Sequence, residues 1–171
     1  MTRWRGRRRA GLAAATVLLL ATTIAGAVAV AEAGSGPWVV VRDGAGAELA
    51  RTALPPTDTF ALRYRNSIYH SVAEEHFAVA DGRLRLVELR AEEPAVLEEY
   101  YAAFGAQPTS GVSPMSWRVS VERPPIGLPL HVRATELGQR TLIAGDYEIA
   151  LWQLVSDRDE SLVVLSVEDA R

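Results

Sequence analysis

The chain has 171 residues and no cysteine, so it can form neither a disulfide nor a thiolate metal site. All 18 of its basic residues are arginines, and 21 acids give a formal net charge of −3. Beyond residue 33 the remainder carries 13 arginines against 20 acids, a net charge of −7, which argues against nucleic acid or anionic lipid as its partner.

The first 33 residues have the pattern of an export signal or a membrane anchor. Five arginines precede the stretch 10–31, which contains 22 residues without a charge. As a helix it would extend about 33 Å, enough to cross a bilayer. Small residues at 29–33 also fit a cleavage site, so a cleaved signal and a retained anchor both stay open. We expect the rest of the chain outside the cytoplasm, either on a single-pass anchor in the cell membrane or, after cleavage, secreted or periplasmic.

After a short linker at 34–37, residues 38–171 are predicted to form one mainly β domain. Runs of β-branched, aromatic or alternating residues are bounded by Gly, Pro, Asp or Ser, with no long helical pattern between them. This spacing predicts an antiparallel sandwich or a partly open barrel. The runs are WVVV, AELARTAL, FALRYRNS, EEHFAVA, RLRLVELR, WRVSVE, LPLHVRATE, RTLIAG, YEIALWQLV and SLVVLSVED.

The segment EEPAVLEEYYAAFG departs from this strand pattern. Pro94 stands at a helix-start position, acids follow it in the first turn, and Gly105 stands where a helix would stop. We therefore predict one short helix near 94–104, with an irregular extended crossing as the alternative.

The strongest turn signal is Asp81-Gly82, which favours a tight hairpin turn between alternating strands. Pairing outward from this turn places Glu75 opposite Glu88 on the face that is apolar near the turn. Asn66 projects from the same face of the preceding strand, so we expect it beside Glu75. Inward polar groups of this kind can form a structural network, a binding site or an acid–base pair. The residues favour the structural network, and a binding role comes second.

A metal site is an alternative interpretation of the same stretch. On an extended chain His70, Glu74 and His76 share one face, and three such ligands could hold zinc with an open position, as in a metal-dependent hydrolase. Their spacing matches no compact zinc motif, and no nucleophile-elbow glycines surround Ser67 or Ser71. No phosphate-binding loop or dinucleotide fingerprint is present. We therefore expect no cofactor and favour a binding protein over an enzyme.

Several stretches resemble a known family, the domain-of-unknown-function family eighteen-fifty. They are FALRYRNSIYHSVAEEHF, the hairpin after it, FGAQP, and LPLHVRATELGQRTLIAGDYEIALWQLV, and the resemblance covers residues 38–167. Members are small exported or anchored proteins. Their motifs are an aromatic residue followed closely by His-Ser-Val, a Glu-rich strand start, and a later Phe-Gly-Ala-Gly-x-Pro-like stretch.

Residues of this chain are assigned to each of the three motifs. The triplet 66–68 is placed at the His-Ser-Val position, 74–75 at the strand start and 104–106 at the later motif. Asn66 then replaces the family His, and Gln107 stands where Gly is usual.

The resemblance implies an accessory of a solute uptake system, because such proteins are often encoded beside TRAP-type transporters. The partner would be a TRAP-type permease or a TAXI-class solute receptor. Three functions stay open: such an accessory domain, a solute-binding β module acting on its own, and a metal-dependent hydrolase. The candidate binding residues are Asn66, Ser67, Glu75, Glu88, Phe104 and Gly105.

Overall fold

A computed structural model describes residues 36–110, 114–155 and 161–169. The predicted signal or anchor at 1–33 lies outside these residues, as does most of the linker. Within the described part, no helix has the length and apolar character needed to span a bilayer.

The described residues are mainly β, as predicted, with twelve strands and two short helical turns. The helical turns are Val96–Tyr100 and Leu151–Leu154. In chain order the strands are β1 Trp38–Asp43, β2 Glu48–Ala53, β3 Thr59–Arg65, β4 Val72–Ala80, β5 Arg83–Ala91, β6 Gln107–Pro108, β7 Trp117–Ser120, β8 Ile126–Gly127, β9 Leu130–Arg133, β10 Thr141–Ala144, β11 Tyr147–Ala150 and β12 Leu162–Glu168.

These strands form two antiparallel sheets. The four-stranded sheet has the order β2-β1-β12-β9. The eight-stranded sheet has the order β11-β10-β3-β4-β5-β7-β6, with β8 paired to β5. In the part of the chain that the structure describes, neither sheet closes into a barrel.

One hydrophobic core is shared by both sheets. Val39 and Val163 from the four-stranded sheet belong to the same buried cluster as Leu62, Leu84 and Leu142 from the other. Burial of this apolar surface holds the domain together without any disulfide.

The hairpin between β4 and β5 has the predicted turn. Asp81 and Gly82 both have positive φ, 53° and 67°, as a tight primed turn requires. Val79 pairs with Leu84 and Phe77 pairs with Leu86, as expected for a hairpin without a bulge.

Farther from the turn, the predicted pairing of Glu75 with Glu88 is wrong. The register shifts by one residue at Phe77 because β5 contains a bulge. Glu75 therefore pairs with Leu89, and Glu88 pairs with His76. Since one extra residue exchanges the two faces of a strand, the bulge buries Leu89 and removes Glu88 from the face of Glu75.

The helix predicted near 94–104 is present but shorter. It is a π-helical turn over Val96–Tyr100, with Val96 and Leu97 buried. The helix ends before Gly105, and Ala102 takes the left-handed conformation with a φ of 51°. Packing of the two buried residues thus decides the position of this turn.

Candidate binding site

The candidate site is a pocket of about 270 Å³ at the end of β3. Its walls are residues 64–67, Tyr100, and five residues between 133 and 140. The segment 134–140 connects β9 of the four-stranded sheet to β10 of the other sheet. The pocket therefore lies where the chain crosses between the two sheets.

Backbone hydrogen bonds attach the crossing segment to β3. The Arg65 N–H donates to the carbonyl of Gly138 at 2.8 Å. The Gly138 N–H donates to Thr135 Oγ1 at 3.1 Å, and the Gln139 N–H donates to the Thr135 carbonyl at 2.9 Å. These bonds hold the pocket wall against the strand end.

Asn66 shapes the opposite wall by closing the turn after β3. It is only 4 % exposed. Its Oδ1 accepts hydrogen bonds from the N–H groups of Ile68 at 2.9 Å and Tyr69 at 3.1 Å. The Asn66 N–H donates to the Ser71 carbonyl at 2.8 Å. Its Oδ1 is thus bonded to the turn backbone, and the Glu75 carboxylate is bonded to Tyr101 and Arg140, so the predicted Asn66–Glu75 pair is not among the hydrogen bonds of the described residues.

The pocket floor is a network around Glu75. Arg140 Nη1 lies 2.9 Å from Glu75 Oε2, and the Arg140 guanidinium carbon lies 4.7 Å from the centre of the Tyr64 ring. The Tyr101 hydroxyl lies 2.8 Å from both Glu75 Oε1 and the Tyr64 hydroxyl. A tyrosine has one hydroxyl proton and a carboxylate only accepts. Tyr101 therefore donates to Glu75 and accepts from Tyr64.

Both phenols of this network stay protonated at neutral pH. Burial raises the pKa of Tyr64 to about 12. Burial, and then the nearby charge of Glu75, raise the pKa of Tyr101 far above its ordinary range. The network is therefore suited to fixing Arg140 in place, and its phenols are poor acids.

The charge of the pocket wall is positive although the protein is acidic. Arg65, Arg133 and Arg140 line the pocket, and none of the lining residues is an acid. Glu75, in the network at the pocket floor, neutralises Arg140. Among the described residues, neither Arg65 nor Arg133 makes an ion pair, so Arg140 is the wall arginine that has a carboxylate partner there.

The six predicted binding residues divide between three places. Asn66 and Ser67 line the pocket, and Glu75 supports its floor. Phe104 and Gly105 line a separate depression. Glu88 lies beside that depression, 2.5 Å from Arg90 and 3.7 Å from Arg118, which lines it.

The three residues of the alternative metal site are not grouped as ligands in the described part of the chain. Glu74 Oε2 lies 2.9 Å from His76 Nε2 on the outer face of β4. His70 lies in the loop before β4 with a φ of 54°, so the extended geometry assumed for the three residues does not hold. Within the described ranges, no three His, Cys, Asp or Glu side chains are grouped as metal ligands.

Sequence reasoning missed the three arginines of the pocket. Arg65 ends β3, Arg133 ends β9 and Arg140 ends the crossing segment, up to 75 positions apart, so no local pattern marks them.

A scan of protein families, a search of curated proteins and a search of solved structures each return no match to this chain.

Proposed function

We propose that this chain is an extracytoplasmic binding domain for a small organic anion, taken up in the pocket at the end of β3. The observation that carries the proposal is the pair Arg65 and Arg133, which line one pocket without an acidic wall residue or an ion-pair partner among the described residues. Guanidinium groups match carboxylate oxygens in geometry and charge.

The network around Glu75 at the pocket floor favours binding over catalysis. Glu75 and Tyr64 hold Arg140 from two directions, which lowers the entropy lost when a ligand orders the wall. The neutral tyrosines provide neither a base nor a nucleophile near neutral pH.

The setting of this binding domain rests on the sequence. The N-terminal 33 residues support export and a membrane anchor or cleaved signal. The resemblance to the domain-of-unknown-function family supports an association with a TRAP-type permease or a TAXI-class receptor. In that setting the domain would bind the solute, or an anionic group of the partner, outside the cytoplasm.

The proposal is tested by anion titration of the full chain purified in a non-ionic detergent. Acetate, butyrate and inorganic phosphate serve as probes, and NMR chemical shifts or calorimetry report binding. We expect at least one probe to bind, and Arg133→Ala to weaken it about 10- to 100-fold, the value of a charge-assisted hydrogen bond. Binding should also weaken as ionic strength rises.

Arg83→Ala is the matched control, because Arg83 is exposed at the far end of the β4–β5 hairpin and forms no ion pair among the described residues. The control should bind the probes as the unaltered chain does. Absence of binding by every probe would overturn the proposal, as would equal affinities of the Arg133 and Arg83 variants.

A further inference from the structure

Two large apolar side chains are exposed in the wall of the arginine pocket. Tyr100 is 59 % exposed and Leu137 is 66 % exposed, and both line the pocket together with Arg65 and Arg133. They come from different parts of the chain, the π-helical turn and the crossing segment. Exposed apolar side chains gathered at a concave surface are typical of binding sites.

The size of the pocket limits what can enter it. Its 270 Å³ lies just below the usual range of ligand pockets. The pocket is open to solvent, so a nucleotide or an oligosaccharide would place only part of itself inside. A molecule with one charged group and a short hydrocarbon portion has a suitable size.

The charges limit the ligand further. Glu75 pairs with Arg140, so Arg65 and Arg133 are the arginines of the wall that have no ion-pair partner among the described residues. A single carboxylate has two oxygens and can accept hydrogen bonds from both guanidinium groups. A second carboxylate would have to lie against Tyr100 and Leu137, where a hydrocarbon portion removes apolar surface from water and a hydrated carboxylate does not.

We infer that the ligand of this pocket is a short-chain monocarboxylate, with its carboxylate at Arg65 and Arg133 and its hydrocarbon portion against Tyr100 and Leu137. This inference rests on the anion-binding function proposed above and specifies the class of anion.

The test is an affinity series measured by NMR titration of the full chain in the same detergent. The probes are acetate, butyrate, hexanoate and succinate. Affinity should rise about fourfold for each methylene that becomes buried, the effect expected of apolar transfer. Succinate should bind less tightly than butyrate.

Leu137→Asn should flatten this increase, so that hexanoate loses more affinity than acetate does. Leu137 is largely exposed, so the substitution spares the core. Ile126→Asn is the control, since Ile126 is a partly exposed residue of β8, which pairs with the turn end of β5. Comparing variants in one detergent cancels any partition of hexanoate into micelles.

The outcomes separate this inference from the proposed function. If acetate binds and the affinities stay flat along the series, or succinate binds most tightly, the monocarboxylate assignment is overturned and anion binding stands. An unchanged slope in the Leu137 variant also overturns it. If no probe binds, both proposals fail.

Discussion

A buried side-chain oxygen with two backbone donors makes Asn66 the residue that fixes the turn beside the pocket. Asn66→Ala should lower the free energy of unfolding by about 1–2 kcal/mol, because the N–H groups of Ile68 and Tyr69 lose their acceptor. Denaturant unfolding of the full chain measures this loss.

Two further variants serve as comparisons for Asn66→Ala. Asn66→Asp keeps an acceptor oxygen and should recover most of the stability. His70→Ala, at an exposed position of the same loop, should stay within about 0.5 kcal/mol of the unaltered chain. A silent Asn66→Ala together with a destabilising His70→Ala would contradict this assignment of roles.

Glu74 provides a pH-dependent contribution to stability on the outer face of β4. Burial by itself would raise the pKa of the Glu74 carboxyl, but hydrogen bonds from His76 and Arg63 outweigh burial and lower this pKa below 4.5. A carboxyl whose pKa is lower in the folded state stabilises the protein above its unfolded pKa. That stabilisation is lost as the pH falls through the folded pKa.

We therefore expect Glu74→Gln to lower the free energy of unfolding at pH 7 and to have less effect below pH 4.5. Unfolding curves of both proteins at several pH values give the difference. Glu148→Gln is the control, because Glu148 also pairs with Arg63 but is 54 % exposed, where ion pairs contribute little. A difference for Glu74→Gln that stays constant from pH 7 to pH 3 would be inconsistent with this role.

At the scale of elements, the bulge in β5 decides which residues enter the core. Leu89 has no exposed surface, whereas an unbulged register would turn it outward. Leu89→Ala should therefore lower the free energy of unfolding by about 2–5 kcal/mol, as truncation of buried leucines does.

Val87→Ala is the comparison for this prediction. Val87 is the extra residue of the bulge, since no residue of β4 pairs with it, and it is only partly buried. Its truncation should cost less than half as much as that of Leu89. Equal costs, measured by denaturant unfolding, would show that the bulge is misplaced.

At the scale of the whole molecule, we predict that the N-terminal residues direct the domain out of the cytoplasm. A reporter that is active only after export, fused behind Gly36, should be active. Replacing the five N-terminal arginines with glutamates should lower this activity, because the positive charges before the apolar run orient it. Reporter activity confined to the cytoplasm would contradict the predicted location.

The sequence by itself determined the mainly β class and the β4–β5 turn. Alternation of apolar and polar residues and the Asp81-Gly82 pair are local signals, and the backbone obeys them at short range. The sequence also indicated that Glu75 projects toward the core face, because strand alternation places Glu75 on the same face as Phe77. The part of the candidate site that could be predicted is thus the part carried by one stretch of chain, Asn66, Ser67 and Glu75.

Only the tertiary structure decided the pocket and the register beyond the bulge. Arg65 and Arg133 belong to different sheets, and they line one pocket because the segment 134–140 crosses between those sheets and bonds to β3. A bulge is likewise a relation between two strands, so one strand read alone does not reveal it. The prediction that Asn66 lies beside Glu75 failed for the same reason, because the sequence of one segment does not show which groups lie nearest in the fold. A buried side chain takes the partner that the folded backbone brings nearest, and here that partner is the turn itself.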